Sequence, residues 1–142
     1  MQAALARAGC IAGSLGVEIT ESMLLGGNDH AEAVLQAISA LGLSIALDDF
    51  GTGYSNLAYL QRYPINTLKI DKAFIQSRSN ERPLADLIVS LCRTLGMEVV
   101  AEGVETPEQM DWVVGRNIAQ VQGYLFSKPV LPIDFLTLLT RE

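Results

Sequence analysis

Short apolar runs alternate with amphipathic stretches along this chain, and the two kinds of segment carry different periods. The runs occupy 15–20, 44–50, 67–71, 98–104 and 119–126. Each is too short for a helix and rich in Val, Ile or Leu, as strands buried in a parallel sheet are. Between them, Ala31, Val34, Leu35, Ile38 and Leu41 keep helical spacing, with Asn28 and Asp29 placed to cap the start and Gly42 to end the helix. Leu84, Leu87, Ile88, Leu91 and Leu95 repeat the pattern between Pro83 and Gly96. Thr106-Pro107-Glu108-Gln109 reads as an N-cap, a first-turn proline and a capping box, which predicts a helix over 107–114. Shorter helices are predicted over 55–63, stopped by Pro64, and over 132–139, and an opening helix over 2–8. The rhythm is βα repetition, so the fold class is α/β with about five parallel strands and helices outside.

Composition sets the chain among soluble proteins. Of 142 residues, 49% are apolar and 18% charged, with 10 basic against 16 acidic side chains and a formal charge of −6. That is enough apolar material for the core of one domain, taken as 1–142. The acidic balance and the lack of a Lys/Arg cluster argue against a DNA or RNA polymer or an anionic membrane as partner. No run approaches ~18 apolar residues and the first residues lack the charge order of a signal peptide, so no membrane segment and a cytoplasmic location are expected. Cys10 and Cys92 are isolated, and both are expected to be reduced, Cys92 as a small apolar filler on a helix.

The informative feature is where each run stops being apolar. Glu18, Asp48 with Asp49, Lys69, Glu102 and Gln122 stand at or near the carboxyl ends of the five predicted strands. In a parallel α/β fold those ends share one face, where ligands bind. Each position also has a plainer reading. A lone acid at a strand end often caps a helix, and Asp48 and Asp49 would point to opposite faces of a regular strand. Lys69 could be an edge lysine or pair with Asp71, Glu105 could favour a helix amino end, and His30 reads as solvated. Five strands delivering polar groups to one rim outweigh these separate readings, because buried charge is costly unless paired or metal-bound. Carboxylates without His or Cys suit Mg²⁺ or Mn²⁺ rather than zinc. Two such ions about 3.5–4 Å apart clamp the attacking and leaving oxygens of a phosphoryl displacement. A nearby glutamate could then take a proton from water, and a lysine could stabilise charge on the phosphate.

The strings Glu18-Ile-Thr-Glu21, Asp48-Asp49-Phe-Gly-Thr-Gly-Tyr-Ser55, Leu68-Lys69-Ile-Asp71, Glu102-Gly-Val-Glu-Thr106 and Gln122-Gly-Tyr-Leu-Phe-Ser-Lys-Pro129 resemble, in order and spacing, the EAL-type cyclic-di-GMP phosphodiesterases. The resemblance implies a TIM-like (β/α)₈ barrel that hydrolyses cyclic di-GMP to linear pGpG with two Mg²⁺ or Mn²⁺ ions. It implies Glu18, Asp48 and Asp49 as metal ligands, Lys69 as the lysine contacting water and phosphate, Glu102 as general base and Gln122 as a water-orienting residue. Glu21 and Glu105 resemble glutamates that hold the loop after Asp49, residues 50–56, which in the family couples the site to dimer contacts; Asn56 replaces the serine usual there.

The Glu-Ala-Leu motif that names the family, the arginine after it and an early asparagine ligand do not occur in these 142 residues. Successive site positions 18, 48, 69, 102 and 122 lie 30, 21, 33 and 20 residues apart, and eight such units need about 210 residues. The expectation is therefore the C-terminal part of the domain, an incomplete barrel inactive by itself. Its expected partners are cyclic di-GMP and a homodimer mate, another EAL domain or the missing barrel half. The alternative is a non-catalytic module that binds cyclic di-GMP or pairs with EAL domains.

Overall fold

The computed structural model of the protein describes residues 2–24, 29–51, 58–77 and 82–140. Five strands, β1 (Gly16–Thr20), β2 (Ser44–Phe50), β3 (Thr67–Ile70), β4 (Glu98–Glu102) and β5 (Gln120–Gln122), form one sheet in sequence order. Every neighbouring pair is parallel. The helices are α1 (Gln2–Ala8), α2 (Glu21–Leu24), α3 (Asp29–Ala40), α4 (Ala58–Arg62), α5 (Lys72–Gln76), α6 (Pro83–Leu95), α7 (Pro107–Gly115) and α8 (Pro132–Leu139). Among the described residues β1 and β5 do not pair, so the sheet is an open arc of the (β/α) barrel type, with an edge at each end.

Alternation sorts the strands into two faces. Ile19, Ile45, Leu47, Leu68, Ile70 and Ala101 face the helices and make the core with Leu35, Ile75, Ile88, Val89, Cys92 and Val113. The ladder registers put Glu18, Ala46, Thr67 and Glu98 in one row on the concave face, with Lys69, Val100 and Gln120 in the next. Cys92 is the buried filler expected of it, and burial pushes its thiol up to about 11.

Local signals mark several boundaries as expected. Thr106 accepts from the Gln109 backbone at 3.3 Å while the Gln109 side chain accepts from Thr106 N at 2.9 Å, closing the capping box on α7. Gly96 ends α6 in the left-handed conformation, φ 70°. Other expectations need correction. The last two strands are shorter than their apolar runs, because after Glu102 and Gln122 the chain turns. Leu84 and Leu87 are exposed although helical spacing put them on the core face; α6 instead buries Ala85, Ile88, Val89 and Cys92, a stripe rotated from the one expected. The helix predicted over 55–63 is Ala58–Arg62 in the described residues, with 55–57 and the Asn28 cap outside them. Helix α5 was not anticipated: Asp71 accepts from Ala73 N at 2.8 Å and starts it directly after β3.

Candidate functional site

Four strands converge on one ammonium group. Lys69 stands on β3, the middle strand, and its side chain is 6% exposed. Its Nζ donates to Glu102 Oε1 of β4 at 2.7 Å, to Glu18 Oε2 of β1 at 2.9 Å and to Asp48 Oδ2 of β2 at 3.2 Å. Lys69 is thus neither an edge lysine nor the partner of Asp71, whose carboxylate caps α5. Burial acts to lower the Lys69 pKa, but the hydrogen bonds from Glu102, Glu18 and Asp48 outweigh it and hold the ammonium well above the usual lysine range. Three acceptors satisfy all three donors of the ammonium, the condition under which a charge is tolerated inside a sheet.

A bulge explains how two adjacent aspartates reach this place. Leu47 pairs with Leu68 and Phe50 with Ile70, so Asp48 and Asp49 together stand opposite Lys69 alone. The extra residue brings Phe50 back into the core phase, 4% exposed, where a regular strand would have turned it to the concave face. Asp49 takes the left-handed conformation, φ 56°, and its N–H donates to Asp48 Oδ1 at 3.0 Å. Backbone strain of this kind in a non-glycine residue concentrates at functional sites.

Gln122 is the ladder partner of Glu102, and its carbonyl accepts from Val104 N at 3.2 Å. Glu21 is buried at the start of α2, 7% exposed. Glu105 is exposed, and its N–H donates to Gln109 Oε1 at 2.6 Å. Of the loop expected to rest on these glutamates, 50–56, residues 52–56 lie outside the described residues. Beside Glu102 and Gln122 opens a cavity of about 510 Å³ whose wall includes Lys72, Lys128 and Tyr124. Two cations on an otherwise acidic rim give a phosphate somewhere to approach.

One support of the site was not read in the sequence. Gly103, φ 65°, follows Glu102 and packs so closely on Lys72 that a Cβ would collide with it. Gln76 Nε2 donates to the Gly103 carbonyl at 3.3 Å. Helix α5 therefore clamps the end of β4 that carries Glu102. The Gly after Glu102 and the Asp71 cap were the available signals.

A metal is implied by the resemblance, and the side chains offer oxygen donors of the kind a hard divalent cation takes. Among the described residues no three or more such side chains form a ready metal cage, and Glu18, Asp48 and Glu102 each contact Lys69. The donor chemistry fits, and the same carboxylates pair with the Lys69 ammonium.

Comparison with known proteins places the chain. Residues 1–129 match the family model described as EAL domain. A curated relative, the cyclic di-GMP phosphodiesterase NbdA of Pseudomonas aeruginosa, is 43% identical over 136 residues, which is 94% of this chain and 17% of NbdA. The solved EAL domain of Mycobacterium smegmatis DcpA superposes with a TM-score of 0.86 at 36% identity, over 95% of this chain and 62% of that one. Klebsiella pneumoniae BlrP1, solved with manganese and cyclic di-GMP, superposes with a TM-score of 0.81 at 35% identity, over 89% of this chain and 33% of that one. The chain spans less than a fifth of NbdA and under two thirds of either solved chain.

Proposed function

We propose, from the premise that this chain belongs to the EAL domain family, that it carries the greater part of a site hydrolysing cyclic di-GMP to linear pGpG. The observation that carries this reading is the meeting of Glu18, Asp48 and Glu102 from three strands around Lys69. NbdA is a cyclic di-GMP phosphodiesterase by name, and BlrP1 holds cyclic di-GMP with manganese; both support the substrate.

Glu18, Asp48 and Asp49 would hold the divalent ions, Mg²⁺ or Mn²⁺, together with ligands from outside these 142 residues. When bound, two such ions supply Lewis-acid stabilisation to the phosphodiester. Glu102 takes the proton of the attacking water, a contribution of about 10²–10⁴-fold in rate for a placed general base. Lys69 fixes the Glu102 carboxylate at 2.7 Å and turns positive charge toward the phosphate. Gln122, paired with Glu102 across the ladder, orients that water. The family resemblance assigns Glu21 and Glu105 to supporting the loop that follows Asp49.

The family's Glu-Ala-Leu glutamate and asparagine ligand do not occur in this sequence, so the 142 residues alone are expected to be inactive. The test incubates the purified chain with Mn²⁺ and cyclic di-GMP, with and without a polypeptide carrying the Glu-Ala-Leu portion of an EAL domain. Product pGpG only in the mixture is the expected result. Turnover by the chain alone would refute the need for outside ligands. Tight calorimetric binding of cyclic di-GMP with no hydrolysis in either case would replace this reading with that of a binding module.

A further inference from the structure

The turn that follows β4 is held from two sides. After Glu102 the chain leaves the ladder through Gly103, φ 65°, and Val104, which is fully buried. On the β5 side, Val104 N donates to the Gln122 carbonyl at 3.2 Å, and the Val104 carbonyl accepts from Leu125 N at 3.0 Å. Gly123 permits this approach, because a Cβ there would collide with the Val104 backbone. On the other side stands α5. Its first residue, Lys72, packs against Gly103, and its last, Gln76, donates from Nε2 to the Gly103 carbonyl at 3.3 Å.

These links close a ring through the site. Asp71, two residues after Lys69, starts α5 by accepting from Ala73 N at 2.8 Å, and the helix runs to Gln76. Gln76 holds Gly103, and Glu102, its neighbour in the chain, returns to Lys69 Nζ at 2.7 Å. Both ends of Glu102 are therefore tied to the stretch 69–76, the carboxylate through an ammonium and the backbone through a carboxamide. The other links of the ring are covalent, helical or a largely buried ion pair, whereas Gln76 is a single exposed side chain. Water can replace such a bond, so its worth to overall stability is small. Its worth to placement is larger. Contact with Lys72 bounds Gly103 on one side but does not stop the peptide rotating, since glycine has the widest backbone range. A directional bond to the carbonyl does stop it.

We infer that Gln76 is a positioning residue for Glu102: by holding the Gly103 carbonyl, its carboxamide sets where the Glu102 carboxylate stands beside Lys69. The inference rests on the reading of Glu102 as general base.

Two substitutions test it. Gln76→Met keeps the length of the side chain and removes the donor, while Gln76→Lys keeps a donor at comparable reach. In the isolated chain, amide exchange at 102–104 should be about three- to tenfold faster in Gln76→Met, as the loss of one hydrogen bond allows. Exchange at 45–47 and 68–70 and the thermal midpoint should stay at parental values, and Gln76→Lys should restore 102–104. In the mixture with the Glu-Ala-Leu portion of an EAL domain and Mn²⁺, Gln76→Met should lower kcat for pGpG release at least about tenfold, as misplacement of a reacting group does. KM should be unchanged, and Gln76→Lys should recover most of kcat. Parental exchange at 102–104 in Gln76→Met, faster exchange spread over the whole sheet, no restoration by Gln76→Lys, or unchanged kcat would overturn the inference. A mixture in which the parent itself does not hydrolyse cyclic di-GMP would defeat the functional reading instead, and exchange in the isolated chain would still decide whether Gln76 holds the turn.

Discussion

Lys69 is the residue on which the site turns. A lysine in the middle of a five-stranded sheet is exceptional, and three carboxylates account for it. They also depend on it, since without the ammonium three acids would face one another across about the width of one cation. Lys69→Met keeps the length of the side chain and removes the charge. It is expected to lower stability by about 1–3 kcal/mol, below the 3–5 typical of a fully buried pair because Glu18 is more than half exposed. Millimolar Mn²⁺ should recover part of the loss by taking the place of the ammonium charge. Thermal melts with and without the ion check this; an unchanged midpoint in Lys69→Met would show that the convergence contributes nothing. Most of this site was legible in the sequence because strand-end acids recur at intervals. What a pattern of alternation could not show was the bulge: a regular strand separates Asp48 from Asp49 onto opposite faces, and only the pairing of Leu47 with Leu68 and of Phe50 with Ile70 reveals the extra residue.

At the scale of elements, capping chemistry was readable and face assignment was less so. Thr106, Gln109, Pro107 and Gly96 carry local signals that fix helix ends whatever lies around them. The buried stripe of α6 depends on which helices flank it, and Leu84 and Leu87 show that spacing alone does not decide it. Helix α5 is short and was hidden behind its own cap, yet it clamps Gly103. A Cβ at Gly103 would meet both a left-handed backbone and Lys72, so Gly103→Ala is expected to cost more than about 2 kcal/mol. Gly96 has φ 70° with open space around it, and Gly96→Ala should cost only about 1–2 kcal/mol. Urea denaturation of the two variants measures the contrast, and equal losses would remove the clamp from the account.

Helices α6 and α7 are tied by Asp86, whose carboxylate accepts from the Arg116 guanidinium, which in turn lies over the Trp112 ring with its centre 4.4 Å away. The Arg116 hydrogen bond holds the Asp86 carboxyl below the ordinary range against the opposing effect of burial. A depressed folded-state pKa gives stability that is present above the unfolded value, about 3.9, and lost as pH falls through the folded value. The pair is partly exposed, so its contribution is about 0.2–1 kcal/mol. Asp86→Asn should therefore be less stable than the parent at pH 7, with the gap closing as pH is lowered below about 3.5. A gap independent of pH would assign the effect to shape rather than charge.

Over the whole molecule, charge and architecture point to the same rim. Seven of the sixteen acids, Glu18, Glu21, Asp48, Asp49, Asp71, Glu102 and Glu105, lie at or just beyond carboxyl ends of strands, so the net −6 is largely a property of one face. The same face carries Lys69, Lys72 and Lys128. No described helix is long and apolar enough to cross a membrane. The central claim is that Glu102, held by Lys69, removes the proton from the attacking water. It is tested most directly by the rate of pGpG release from cyclic di-GMP in the reconstituted two-part domain with Mn²⁺, comparing the parent with Glu102→Gln. The account predicts a fall of about 10²–10⁴-fold for Glu102→Gln with the complex still formed; hydrolysis at the parental rate would contradict it.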